Sequence, residues 1–315
     1  MLMKQDMVMR RRLLRFRNLS AFQIIIYGFA AVILLGTILL MLPAASADGT
    51  ACAPADALFT ATSAVCVTGL VVKDTWSAWS GFGQAVILLL IQTGGMGVVL
   101  VVSAVYLLTG RRIGLKQRST VQDAISAPQS GGIIRLVLMI LLILFLSETA
   151  GALLLCPAFC RDFGMAKGIW FSIFHSVSAM CNAGFDLLGE KGAYSSLAFY
   201  ASSPSVLLVI AGLIIWGGLG FLTWKDIFSR GKRLNRYSLQ ARLVLRMTGI
   251  LIFVPTVLFF FLEFTKGSVP DRLLSSFFTA VTPRTAGFSS VDMNVLSEPG
   301  RMLVILLLLI GGAPG

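Results

Sequence analysis

Long apolar runs recur along the chain and are separated by polar or basic connections. Five runs are about 20 residues long, the length that crosses a bilayer as a helix, and a sixth is shorter. They cover residues 24–42, 85–108, 133–155, 206–224, 243–262 and 302–310. The first run is not a cleavable signal, because its flank is strongly basic and further spans follow it. The pattern predicts an all-α integral membrane protein.

Three shorter stretches lie between these spans, each too short to cross a membrane and too apolar for an ordinary loop. They occupy residues 54–74, 168–189 and 271–292, and their centres read ATSAVCVTGL, SVSAMCNAGF and AVTPRTAGF. The shared order of Ser/Thr-rich turns, glycine and a large apolar residue predicts an internal repeat of span, pore loop and span. The predicted units are a basic N-terminus at 1–18 and repeats at 19–110, 111–228 and 229–315.

A glycine occupies the same place in each short stretch: Gly69, Gly184 and Gly287. Re-entrant backbone is stable at membrane depth only when it is buried or lines a watery cavity. Backbone carbonyls around an axis can replace the hydration shell of a cation, and a positive φ, which glycine adopts at low cost, turns them inward. The C-terminal end of a preceding half-helix also favours a cation. The repeat therefore predicts a central ion pore.

Basic residues concentrate in three blocks. The net charge is +12, and 18 of the 26 Lys and Arg residues lie before residue 18, between 110 and 135, or between 225 and 246. The positive-inside rule places these blocks, including the N-terminus, in the cytoplasm. Their distribution argues against nucleic acid as a partner. Two interpretations stay open for them: contact with anionic membrane lipid, and docking of a cytoplasmic partner.

A few polar residues lie within the apolar segments. Glu148 is interpreted either as an ion-path residue or, preferably, as a hydrogen-bond acceptor for a pore half-helix. Arg284 is expected to point away from the pore, with Asp186 or Asp292 as its partner. The single histidine, His175, is expected to be buried with its hydrogen bonds satisfied.

Glycine clusters at 94–97 and 217–220 match each other in the second spans of the first two repeats. Close helix packing explains them without a gate, and a phosphate loop is excluded because no Lys–Ser/Thr pair follows. The cysteines match no zinc site, and we expect small apolar fillers rather than disulfides. They are Cys52, Cys66, Cys156, Cys160 and Cys181.

The three loop motifs resemble the pore loops of the Trk/Ktr/HKT potassium transporter superfamily, most closely those of the KtrB type of membrane subunit in bacterial Ktr systems. The resemblance extends from about residue 19 to the end of the chain. It implies four repeats around one pore, whereas this chain carries three and ends within the segment that resembles the family's intramembrane gate. We therefore expect a fragment that lacks a fourth repeat and does not conduct alone, unless another chain completes the ring.

The resemblance also implies residue roles. The selectivity filter would comprise Val67, Thr68, Gly69, Leu70, Asn182, Ala183, Gly184, Phe185, Thr285, Ala286, Gly287 and Phe288, and the gate Gly311, Gly312 and Gly315. Glycine at position 69 implies selectivity for K⁺ over Na⁺. Potassium would be the transported ion, with possible Na⁺ dependence and no cofactor. The implied assembly is a homodimer in the bacterial cytoplasmic membrane, gated by a cytoplasmic nucleotide-binding RCK-type subunit.

Two other functions compete with the interpretation as a channel-like potassium pathway. A secondary cation symporter with a midplane site built on broken helices remains an alternative to a channel-like pathway. An intramembrane enzyme is disfavoured, because the sequence has one His, no HExxH motif and no paired intramembrane Asp.

Overall fold

The computed structural model describes residues 20–108, 115–124, 132–231 and 234–312. Within these ranges the regular secondary structure is helical, apart from an isolated β-bridge between Ser46 and Trp79, and loops and turns connect the helices. The helices are α1 (Ala21–Met41), α2 (Pro54–Val65), α3 (Thr75–Ala78), α4 (Gly81–Met96), α5 (Val98–Leu108), α6 (Leu115–Ala124), α7 (Ile133–Phe163), α8 (Met165–Met180), α9 (Pro204–Gly217), α10 (Phe221–Arg230), α11 (Leu239–Leu262), α12 (Val269–Val281) and α13 (Glu298–Ile310). The basic N-terminus predicted at 1–18 lies outside the described residues.

The same order of elements occurs three times: a long helix, a short helix that ends in an irregular segment, and a second helix. These sets are α1, α2 and α4; α7, α8 and α9; and α11, α12 and α13. Local sequence sets their starts, since Ser20 and Gln23 form a capping box at α1. Helices α2, α9, α12 and α13 each have proline in the first turn. The all-α class with alternating spans and short helices is confirmed.

Three described helices are long and apolar enough to cross a membrane: Phe22–Met41, Ile133–Phe163 and Leu239–Leu262. Two pairs of helices are sharply bent, α4 with α5 at 98° and α9 with α10 at 93°, and each pair would be a further span if counted as one. The expectation of unbroken spans at 85–108 and 206–224 is therefore wrong. Gly97 (φ 80°) and Gly220 (φ 79°) lie at the breaks, and their left-handed backbone cannot continue an α-helix.

The second helix of one set packs against the short helix of the next set. Helix α4 contacts α8, and α9 contacts α12. Polar contacts join the same sets, since the Trp170 indole donates to the side-chain oxygen of Gln84 at 2.8 Å. The amide of Leu197 donates to the carbonyl of Ser289 at 2.8 Å. The three short helices are thereby held with their C-terminal ends close to one another.

Candidate functional site

The short helices α2, α8 and α12 lead into three loop segments, residues 66–70, 181–185 and 284–288, which share one backbone conformation. In each, a residue with positive φ is followed two positions later by a glycine with positive φ. The pairs are Val67 (56°) with Gly69 (75°), Asn182 (57°) with Gly184 (72°), and Thr285 (71°) with Gly287 (77°). Successive carbonyls of an extended strand point to opposite sides, and a positive φ at alternate residues turns them to one side.

The positive φ predicted at the three glycines is confirmed, whereas the preceding partner in each pair was missed. Val, Asn and Thr carry no common signal for this conformation, and a positive φ is rare for a β-branched residue. Their equivalent places in the repeat were the one available indication. Such backbone persists only where the surrounding structure holds it, and it clusters at functional sites.

The loop segments adjoin one another in chain order. A Cβ atom built on Gly69 would lie 2.5 Å from the carbonyl oxygen of Ala183, and one on Gly184 would lie 2.5 Å from that of Ala286. A Cβ on Gly287 would lie 3.5 Å from the Cα of Gly184. The structure therefore brings the three predicted glycines together, with a carbonyl of the next segment against each of the first two.

Hydrogen bonds to the preceding helix fix the second and third segments. The Ala183 amide donates to the carbonyl of Ser178 at 2.7 Å. The Ser178 hydroxyl donates to the carbonyl of Phe185 at 2.7 Å, and the Thr282 hydroxyl donates to that of Phe288. A hydroxyl near the end of α8 and another just after α12 thus anchor the residue that follows the glycine in these two segments.

The apolar residues beside the glycines differ between segments. Phe185 and Phe288 are fully buried with Ala183 and Ala286, whereas Leu70 is 61% exposed. The second and third segments are therefore anchored in the core by an aromatic ring, and the first is not.

A cavity of about 900 Å³ lies beside all three segments. Val67, Thr68, Asn182, Thr285 and Gly287 contribute to its wall. The breaks between α4 and α5 and between α9 and α10 form much of the remainder. Of the predicted filter residues, these five line the cavity, and the other seven are not among its lining residues.

The glycine clusters give this region its close packing. A Cβ on Gly94 would overlap the carbonyl oxygen of Val65, the last residue of α2. A Cβ on Gly217 would overlap that of Met180, the last residue of α8. The predicted packing role is confirmed for these two, and the clusters also break the helices, which was not predicted.

Two of the three predicted gate residues lie against the third segment. A Cβ on Gly311 (φ 64°) would be 3.6 Å from Cγ2 of Thr285, and one on Gly312 would be 3.3 Å from the carbonyl oxygen of Arg284. Gly315 lies outside the described residues. The gate remains a prediction.

Arg284 is buried and points toward α11. Its Nη2 donates to Oγ1 of Thr248 at 3.0 Å, while Nε and Nη1 have no partner within the described ranges. The side chain is not among those that line the central cavity, as predicted. The expected partner, Asp186 or Asp292, is wrong, because a neutral hydroxyl takes that place.

The main chain of Glu148 joins α7 to α8, and His175 joins α8 to the residues that follow the second loop segment. The Ser176 hydroxyl donates to the main-chain carbonyl of Glu148 at 2.6 Å, so the acceptor for the pore half-helix is not the carboxylate, and that prediction is wrong. His175 is fully buried, its Nδ1 lies 2.7 Å from the carbonyl of Phe171, and its Nε2 accepts from the Leu187 amide at 3.4 Å. The satisfied histidine is confirmed.

A cation at the loop segments would meet backbone oxygens rather than a charged ligand set. Among the described residues there is no group of three or more His, Cys, Asp or Glu side chains that could hold a metal ion, and the cysteines are free.

Beyond the first segment, Lys73 forms a 3.0 Å ion pair with Asp56 at the start of α2. This hydrogen-bonded contact raises the pKa of Lys73 and keeps it charged.

Comparison with known proteins gives consistent matches along nearly the whole chain. Residues 4–315 match the family model TrkH, described as a cation transport protein. The chain is 39% identical over 313 residues to the potassium/sodium uptake protein NtpJ of Enterococcus hirae, covering 98% of this chain and 68% of that protein. It is 38% identical over 295 residues to the Ktr system potassium uptake protein B of Bacillus subtilis, covering 92% and 64%.

The fold also matches a solved structure. The crystal structure of the potassium transporter TrkH from Vibrio parahaemolyticus aligns with a TM-score of 0.64 at 21% identity. The alignment covers 90% of this chain and 56% of that one. The chain thus spans between about half and two thirds of the length of these proteins.

Proposed function

The chain belongs to the TrkH family of cation transport proteins, and on that premise we propose that it takes part in potassium uptake across a membrane. The named relatives are uptake proteins for potassium, or for potassium and sodium. As a member of a cation transporter family, the chain is not an enzyme. The observation that carries the proposal is the repeated pair of positive-φ residues in three loop segments packed side by side.

We propose that K⁺ is dehydrated by the carbonyls of these segments. Neutral carbonyl dipoles bind a cation strongly enough for entry and weakly enough for exit. The C-terminal ends of α2, α8 and α12 add partial negative charge near the same place. The proposed ion-binding residues are those of the predicted filter, and the proposed repeats are 19–110, 111–228 and 229–315.

Replacing Gly69 by Ser tests this assignment. The serine side chain would occupy the space of the Ala183 carbonyl, at a φ of 75° that disfavours any side chain. We expect the uptake ratio of K⁺ to Na⁺ to fall at least tenfold, about 1.4 kcal/mol. Because this chain is not expected to conduct alone, the substitution is made in the complete protein, and uptake of both ions is measured in cells that lack their own potassium uptake systems.

Gly249→Ser is the matched control, because Gly249 in α11 has open space around it and an ordinary helical backbone. This variant should keep the wild-type ratio. An unchanged ratio in Gly69→Ser, at equal membrane levels, would remove the first segment from the filter.

We further propose that Gly311, Gly312 and Gly315 belong to a gate controlled from the cytoplasm by a nucleotide-binding RCK-type subunit, beneath a homodimer in the bacterial cytoplasmic membrane. Two relatives are named as proteins B and D of a Ktr system, which supports a partner subunit. The name of NtpJ also supports a role for sodium. The symporter alternative would give uptake with fixed ion stoichiometry instead of currents at channel rates.

A further inference from the structure

A second cavity, of about 600 Å³, opens on the flank of the molecule between the first and second repeats. Its walls come from α4, α7 and α8, and no residue that lines it also lines the central cavity. Leu89 and Leu153 at its rim are 66% and 69% exposed. Leu153 lies on a helix long and apolar enough to cross a membrane, and Leu89 lies on one helix of a bent apolar pair, which favours an opening toward the hydrocarbon of the bilayer.

The wall of this cavity contains a buried carboxyl group, Glu148, which contacts the side chain of Gln92 but keeps one oxygen without a partner among the described residues. Glu148 is 6% exposed, and its Oε1 accepts no hydrogen bond from the described part of the chain. The neighbouring Gln92 also has a buried, unpartnered oxygen, Oε1. The hydroxyls of Thr149 and Ser172 donate to carbonyls of their own helices at 2.7 Å. The cavity therefore holds two unsatisfied acceptors in an otherwise apolar wall.

We propose that this flank cavity binds a membrane-dissolved primary amine, with the ammonium head on Glu148 and Gln92 and the apolar tail between α4, α7 and α8. An ammonium group carries three donors and no acceptor, which complements the two orphan oxygens. Its charge would pair with an intramembrane carboxylate, which is otherwise costly at this depth. No Lys or Arg lies among the lining residues, so the chain does not supply that partner from this wall.

Other occupants fit the chemistry less well. A dehydrated K⁺ requires a shell of several oxygens, and two side-chain oxygens among Leu, Ile and Phe do not provide one. A fatty acid would bring a third acceptor to the same place. A plain hydrocarbon tail would fill the volume and leave both oxygens unsatisfied.

Binding is tested on the purified chain in lipid nanodiscs with radiolabelled decylamine at pH 7, with decanol, decanoate and empty nanodiscs in parallel. Decylamine should bind saturably, at one site per chain. Glu148→Gln, which keeps the shape and removes the charge, should weaken decylamine roughly tenfold or more, because hydrogen bonds to charged groups are the strong ones. Decanol binding should change little in the same variant.

Two substitutions on α7 distinguish an effect of filling the cavity from a general effect of altering the helix. Ala152→Phe places a ring inside the cavity and should abolish saturable decylamine binding, whereas Leu154→Phe, on the exposed face outside it, should not. Size-exclusion profiles establish that each variant is folded. Equal decylamine binding by wild type and Glu148→Gln, or decanoate binding as tight as decylamine, would overturn the proposal and leave a crevice for lipid tails. The measurement requires no transport, so its failure leaves the proposed ion path untouched.

Discussion

Arg284 shows how a single hydroxyl can position a buried cation at the residue scale. Arg284 is the first residue of the third loop segment, yet its guanidinium points to Thr248 of α11 and away from the central cavity. The contact holds a positive charge away from the proposed path of a cation. It also leaves the arginine dependent on one neutral partner among the described residues.

We therefore expect Thr248→Val to destabilise the protein by about 1–3 kcal/mol, the cost of leaving a buried donor unpaired. Thr248→Ser should restore most of that loss. The free energy of unfolding is measured by denaturant titration in mixed micelles. Thr256→Val on the same helix is the control, because its hydroxyl bonds only to the Ile252 carbonyl one turn earlier. An equal loss in both valine variants would mean that the contact to Arg284 adds nothing.

At the scale of single helices, two glycines of α9 differ in what surrounds them. Gly217 lies against the carbonyl of Met180, whereas Gly212 has nothing within 4 Å of an added Cβ. Gly212→Ala should be neutral or stabilising by up to about 1 kcal/mol, because alanine favours the helix. Gly217→Ala should push α9 from the end of α8 and lower both thermal stability and potassium uptake. If the two variants had the same thermal stability and potassium uptake, close contact between α9 and the end of α8 would not be needed for either property.

The glycine clusters also mark how far the elements could be predicted from sequence. Apolar runs and repeated motifs identified the helices and the three loop glycines, because burial and repetition leave a direct trace in the sequence. The sharp breaks at Gly97 and Gly220 leave no such trace. A glycine in a transmembrane run permits either close packing or a turn, and neighbouring helices decide between them. The Thr248 partner of Arg284 was missed for the same reason, since it depends on packing between distant helices.

Exposed basic residues near the two ends of α11 allow the proposed docking surface to be tested on the scale of the whole molecule. Lys225 and Arg236 are exposed beside the connection between α10 and α11. Arg230 in the same region is paired with Asp226 at 3.5 Å and serves the local fold. Lys266 lies at the opposite end of α11, between α11 and α12. With the proposed orientation, a regulatory subunit in the cytoplasm would meet the first group and not the last.

We expect the double substitution Lys225→Glu and Arg236→Glu to abolish co-purification of the proposed regulatory subunit. Membrane insertion should persist, because the spans are unchanged. Lys266→Glu is the control, and co-purification is measured in detergent after delipidation. If the regulator still co-purifies with the double variant, these charges serve lipid contact and the docking surface lies elsewhere.

The packing of Gly69 against Ala183 has a consequence for biogenesis. The ribosome delivers the first loop segment well before the residues that form its wall, so Val67 must hold its unfavourable backbone unsupported or adopt it later. The second segment likewise lacks its neighbouring wall until Ala286 has been synthesised, because Gly184 packs against the carbonyl of that residue. The first two segments should therefore reach their final conformation only after the segment that follows each of them has entered the bilayer. The proposed ion path should be the last part of the molecule to form during synthesis. Nascent chains should pass through a stage in which polar backbone is not yet enclosed and membrane proteases can recognise it.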